Sequence, residues 1–293
     1  MADQNNLTVA ETLPKKWEVE IRPNASWLDL SLRDLWTYRD LIRLFVRRDV
    51  VAQYKQTILG PIWLVLQPLL TTVVFTVFFG NVAGLSTAGL PKLLFYLSGQ
   101  IVWSYFAAVL TTTSDTFIGN ANLFGKVYFP RLAVPISVLF SQLFQFGLRF
   151  LIFLGFFAWF FFRGASIHPT SALWAFPLAL LVMMGLALGL GILFSALTAK
   201  YRDLRFLLAF GVQLLMFTTT AVYPLSAMTS AKYRLLVLAN PMTSVIECFR
   251  LAFMGVGDFS FVHLAYSAAF AGIVLAVGIL SFTRIERNFM DSV

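Results

Sequence analysis

Few residues in this 293-residue chain have the types and spacing for chemistry. The clearest candidate is GNANLFGKVYFPR, residues 119–131, which sets a Gly-Lys pair among polar residues as a phosphate-binding loop does. Such a loop needs four residues between its glycines and then Lys followed by Ser or Thr, so that backbone N–H groups cradle phosphate and a hydroxyl holds Mg²⁺. Here five residues separate Gly119 from Gly125, and Val127 stands at the hydroxyl position. The segment is therefore not a nucleotide site, no other segment carries the motif, and any ATP used must be hydrolysed by another chain. One cysteine (Cys248) and two histidines give neither an internal disulfide nor metal-ligand spacing. The acids Asp115, Asp203, Glu247 and Asp258 are scattered. A membrane-embedded transferase would gather such groups at one face, and an ion-coupled transporter would place carboxylates within its spans. Arg149 sits inside the apolar run LFQFGLRFLIF, where a charge costs about 2.5–3.5 kcal/mol on insertion scales. It requires a wet cavity, or a structural partner such as Asp115, Glu247 or a backbone carbonyl.

The elements that must hold these residues are membrane elements. Hydrophobic residues make up 59% of the chain and charged residues 12%, well below the roughly one quarter usual in soluble domains. About 20 apolar residues cross a bilayer core as helix. Runs of that size occupy 61–82, 92–114, 132–162, 172–199, 205–223 and 262–283, which predicts an all-α membrane protein with six spans. The third run would be about 46 Å long at 1.5 Å per residue, so it must tilt or project, with its N-terminal end expected to project. Residues 1–27 read as a flexible polar N-terminus without a secretory signal, and 284–293 as a tail. The net charge of +8 is spread beside apolar runs, which points to a membrane and not to nucleic acid. With six spans both termini share a side. Sixteen Lys and Arg lie on that side and five on the other, so the termini are expected to be cytoplasmic.

Before the first span, Leu28, Leu32, Leu35, Ile42 and Phe45 form one helical stripe opposite Arg33, Asp40, Arg43 and Arg47. With Trp36 and Tyr38 nearby, this reads as a helix in the cytoplasmic membrane interface, or else as part of a small soluble cap. Between the fifth and sixth runs, Pro224 and Asn240-Pro241 break the chain into short helices over 228–239 and 242–254. These form a re-entrant pair or a hairpin on the membrane surface, and Glu247 and Arg250, three apart, can pair to brace them. In residues 119–131, Asn120, Asn122 and Gly125 favour turns and helix ends, and Pro130 stops the helix. Leu123 and Val127 are four apart, as are Phe124 and Tyr128, with Phe129 beside them. That apolar face is either a docking surface or a set of headgroup-level aromatics.

Several motifs in order resemble one family: LWTYRDLIRLFVRRDVVAQYKQTILGPIWLVLQPLL, GNANLFGKVYFPRLAVP, AKYRDLR, YPLS, NPMTS and FTRIERNFMDSV. From about residue 28 onward the chain resembles a permease subunit of the ABC-2 type exporters, the group that moves O-antigen, capsule and teichoic acid polymers. The resemblance implies a homodimer of six-span subunits in the bacterial inner membrane, paired with two cytosolic ABC ATPase subunits that use ATP and Mg. No cofactor is expected on this chain. It implies a coupling helix over about Asn120 to Phe129, in which Asn120, Asn122, Leu123, Phe124, Lys126, Val127, Tyr128, Phe129 and Arg131 meet the ATPase, with Lys200, Arg202 and Asp203 as a secondary contact. It also implies that the pair between spans five and six is periplasmic and caps a channel. The cargo would be an undecaprenyl-linked polysaccharide, most readily lipopolysaccharide O-antigen and otherwise capsular polysaccharide or teichoic acid. Aromatic faces suit a sliding sugar polymer, so Phe75, Phe78, Phe79, Trp103, Tyr105, Phe217 and Tyr223, with Arg149, are channel candidates, against the alternative that such aromatics face lipid.

Overall fold

A computed structural model describes residues 32–55, 62–127 and 129–290, and among these there is no strand. Two helices come first, α1 (Leu32–Thr37) and α2 (Arg39–Tyr54). The first span is α3 (Ile62–Phe75), which continues as wider π-helical turns over Thr76–Val82. Pro68 lies inside α3, and Thr72 and Thr76 donate their hydroxyls to the carbonyls four residues back, at 2.7 and 2.8 Å. Such bonds loosen the helical ladder where the wider turns begin. Next come α4 (Lys92–Ser114), the single turns α5 (Thr116–Gly119) and α6 (Ala121–Phe124), and then α7 (Ala133–Phe162) and α8 (Phe176–Lys200). The chain closes with α9 (Leu204–Met216), α10 (Ala231–Ala239), α11 (Pro241–Met254) and α12 (Phe261–Met290).

Five of these helices are long and apolar enough to cross a membrane, and a sixth crossing requires the bent pair α10–α11. The predicted second and third runs coincide with α4 and α7. The predicted fifth span does not reach its expected end: α9 has 13 residues, about 20 Å of helix against a core of about 30 Å. It stops because Thr218 and Thr219 turn their hydroxyls back onto the Leu215 and Met216 carbonyls, at 2.8 and 2.7 Å. The following carbonyls, of Thr220 and Ala221, are taken by Arg250 at 2.6 and 3.2 Å. The Asn240-Pro241 break falls where the sequence puts it. The helices meet at 92°, with the Asn240 side chain accepting from the Met242 N–H at 3.0 Å and Pro241 opening α11. At the C-terminus, helix continues through Arg284 to Met290, so the expected tail is largely an extension of α12.

The buried centre is α4, with α8 packed along it and α12 behind α8. Close crossing of α8 and α12 depends on Gly189 and Gly278. A Cβ on Gly278 would lie 2.6 Å from the Gly189 carbonyl oxygen, and one on Gly189 would lie 2.7 Å from the Leu275 nitrogen. Small residues of this kind let apolar helices pack backbone to backbone. Gly278→Leu is expected to force the helices apart and cost about 1–3 kcal/mol or more. The melting temperature of the detergent-solubilised protein checks this.

The stripe on α2 faces inward. Phe45 is buried, and Leu35, Tyr38, Leu41 and Ile42 pack with it against Phe117, Phe124, Phe129 and Phe282. The apolar face expected in the membrane interface is thus covered by the protein's own chain. Trp36, Leu44 and Val51 are exposed on the other side with Arg43 and Arg47. Leu28 lies outside the described residues.

Candidate functional site

Two sites stand at opposite ends of α4, separated by about 30 Å along its axis from Phe95 to Asp115. The first is the segment 115–131. Asp115 follows α4 and its carbonyl accepts from the Gly119 N–H at 2.7 Å, which closes α5. Asn120 Nδ2 donates to the Thr116 carbonyl at 3.0 Å, and the Asn120 carbonyl accepts from the Leu123 and Phe124 N–H groups, which forms α6. Helix here is therefore one turn plus a Leu123-centred cap, shorter than the expected Asn120–Phe129. Tyr128 lies outside the described residues.

Phe124 and Phe129 are only 6% and 5% exposed, so they do not belong to an exposed apolar face. They form an aromatic base, with Phe124 5.7 Å from Phe129 and 6.1 Å from Phe117, Phe129 5.6 Å from Phe45, and Phe117 4.5 Å from Phe282. Arg131 is 5% exposed, with its guanidinium 5.3 Å above the Phe124 ring. Burial of these side chains turns the rest outward: Asn122, Gly125, Lys126 and Val127 are exposed, Val127 to 54%, and Asn120 and Leu123 are half-buried. Among the described residues, the outward side of this segment is a turn carrying Asn122, Gly125, Lys126 and Val127 above an aromatic floor.

The secondary segment lies beside it. Lys200, Arg202 and Asp203 are exposed, and Thr198 donates its hydroxyl to the Ser114 carbonyl at 2.6 Å. Arg205 Nε meets Asp115 Oδ2 at 3.0 Å. Burial pushes the Asp115 carboxyl above its ordinary range, and the nearby Arg205 guanidinium pulls the other way. Arg205 is a joining residue that the sequence reading did not single out. Its only signal was an opposite charge at the mouth of each loop.

The second site lies at the other end of α4. Arg250, 2% exposed, donates to the carbonyls of Thr220, Ala221 and Phe95 at 2.6, 3.2 and 3.3 Å and to Ser98 Oγ at 3.2 Å. Its guanidinium lies 3.7 Å from the Phe95 ring centre and 3.5 Å from Glu247 Oε1. Glu247 Oε2 accepts from the Asp258 N–H at 2.8 Å. Gly99 lets α4 reach this segment, since a Cβ there would lie 2.6 Å from the Ala221 carbonyl oxygen. The expected Glu247–Arg250 brace is present and ties α11 to α4 and to the turn after α9. A cavity of about 150 Å³ opens beside it, lined in part by Leu90, Pro224, Ser226 and Asp258.

The channel candidates separate. Phe75 and Phe79 lie 5.3 Å apart, Phe79 is 6.4 Å from Phe217, and the Tyr223 hydroxyl donates to the Phe217 carbonyl. These four form one partly exposed run between α3 and the end of α9. Phe78 is exposed on the outside of the same turns. Trp103 and Tyr105 are buried in the core against Phe106 and Phe146. Arg149 is held by neither Asp115 nor Glu247, both paired elsewhere. Its Nη1 donates to Ser104 Oγ on α4 at 2.8 Å.

Asp115 and Glu247 are each committed to an ion pair, at opposite ends of α4. The chain is 28% identical over 253 residues to the O-antigen export system permease protein RfbA of Klebsiella pneumoniae, covering 86% of this chain and 94% of that protein. It is likewise 28% identical over 225 residues to the protein of the same name from Myxococcus xanthus, covering 76% and 83%. Residues 40–254, a stretch that contains both sites, match the family model for ABC-2 type transporters, and the chain belongs to that family.

Proposed function

We propose that this chain is the membrane-spanning permease subunit of an ATP-driven exporter that moves a lipid-linked polysaccharide, with lipopolysaccharide O-antigen as cargo. Two copies work with two copies of a cytosolic ABC ATPase in the bacterial inner membrane, with both termini in the cytoplasm. The carrying observation is likeness over most of the chain to permeases named for O-antigen export. The Lys126–Val127 turn on its aromatic floor supports the ATPase role, because it presents an exposed mixed patch on a base too tightly packed to yield. Lys200, Arg202 and Asp203 give a second contact beside it. The α10–α11 pair is a periplasmic cap, and the run Phe75, Phe79, Phe217 and Tyr223 borders the sugar path. Stacking faces without fixed hydrogen-bond demands let a polymer slide.

Deletion of the gene is expected to remove long-chain lipopolysaccharide from the cell surface while the polymer accumulates inside, as seen on gels of fractionated cell-envelope glycans. Loss of capsule or teichoic acid with normal lipopolysaccharide would replace the cargo assignment. Failure of the chain to co-purify with any ATPase would reject the exporter reading. Because Lys126 and Val127 are exposed, the pair Lys126→Glu and Val127→Asp is expected to weaken ATPase capture about tenfold or more, the scale of a lost interface anchor, with an unchanged size-exclusion profile. Capture at wild-type strength would remove this turn from the interface.

A further inference from the structure

Asp115 lies between α4 and the docking turn, outside its exposed face, and Arg205 lies in the first turn of α9, so their 3.0 Å ion pair joins the two. The second carboxylate oxygen, Oδ1, is buried with no hydrogen-bond donor among the described residues, and Arg205 offsets the partial burial of this charge. Helix α9 buries one stripe only, Leu208, Val212 and Met216 at four-residue steps, and packs on α4. Phe206, Leu207, Phe210, Leu214 and Leu215 are exposed. A helix held along one stripe can shear along its neighbour, so the bonds at its two ends decide where it sits.

The far end of α9 is bonded to the bent pair. Asn240, at the 92° corner, donates through Nδ2 to Thr218 Oγ1 at 2.9 Å. Arg250 on α11 holds the Thr220 and Ala221 carbonyls. One short helix therefore connects a half-exposed ion pair at one end of the molecule to the helix corner at the other.

We propose that Asp115 and Arg205 are positioning residues that pass displacement of the docking segment into α9, which carries it as a rod to the Asn240 corner. This rests on the docking reading above. The bridge is partly exposed, so it contributes little to folding, and its loss uncouples the two ends without unfolding either.

The test uses the full complex of this chain with its ATPase, and cells whose only copy is the variant. Asp115→Asn and Arg205→Gln are expected to lower surface polysaccharide about tenfold, a usual size for coupling between sites. ATPase capture should be unchanged and ATP hydrolysis should stay within about twofold of wild type, since the separated ends remain folded. Arg205→Lys, and the exchange Asp115→Arg with Arg205→Asp, are expected to recover export, because each restores opposite charges across the joint. Normal export in the single variants overturns the proposal. So does an exchange variant that is no better than the singles, or a single variant that loses its monodisperse profile, since the pair would then be ordinary structural support. If the wild-type chain captures no ATPase, the docking reading falls. If capture and hydrolysis are normal and the single variants export normally, only the joint falls.

Discussion

Arg250→Met is expected to lower the melting temperature of the purified protein by about 6–20 °C, or to prevent folded protein from accumulating. The change fills much of the same space but removes every guanidinium donor from the second site. Glu247, 3% exposed, loses its cation, and the carbonyls of Phe95, Thr220 and Ala221 lose their Arg250 N–H donors. Breaking a buried pair from one side costs about 3–5 kcal/mol, because the remaining charge stays buried and uncompensated. Adding Glu247→Gln to Arg250→Met should recover part of the loss, since the stranded charge is gone while the Asp258 N–H still finds an acceptor in the amide oxygen. A double variant less stable than Arg250→Met would show that carbonyl anchoring, and not charge compensation, is the main role of the guanidinium. Unchanged melting in the single variant would contradict both.

The spans α4, α7, α8 and α12 were legible because crossing a bilayer is a local property of about 20 consecutive residues. The Asn240-Pro241 corner was legible for the same kind of reason, since proline restricts its own neighbour. What escaped were features fixed by residues distant in sequence. The segment after α9 is held in place by Arg250, on another element, which takes the Thr220 and Ala221 carbonyls. Trp103 and Tyr105 resembled path-lining aromatics, yet α4 is surrounded by other helices and buries them. Arg149 called for a wet cavity or a structural partner, and one of its partners is the Ser104 hydroxyl, 45 residues upstream. The stripe on α2 was read correctly as amphipathic, but amphipathicity does not say whether the apolar side meets lipid or protein.

The same ambiguity applies to Phe124. The sequence placed Phe124 among the anchors of an exposed face; the structure puts it beneath the turn, between Phe117 and Phe129 and under Arg131. Phe124→Asp is therefore expected to unfold this end of the molecule, since truncating a buried Phe costs about 3–5 kcal/mol before the carboxylate is counted. Arg131, already against the Phe124 ring, would offset some of that charge without replacing the lost ring contacts. The consequence is visible far from the turn: Phe45 loses the Phe129 edge it packs on, so α2 should loosen, and limited proteolysis should cut within α2 in the variant and not in the wild type. Val127→Asp, three residues away and 54% exposed, should leave that digestion pattern unchanged. If Phe124→Asp folds normally and only ATPase capture falls, the aromatic floor is not structural and Phe124 belongs to the contact surface. If both variants digest as wild type and only Val127→Asp loses capture, the floor tolerates a charge and its rigidity is not what presents the turn.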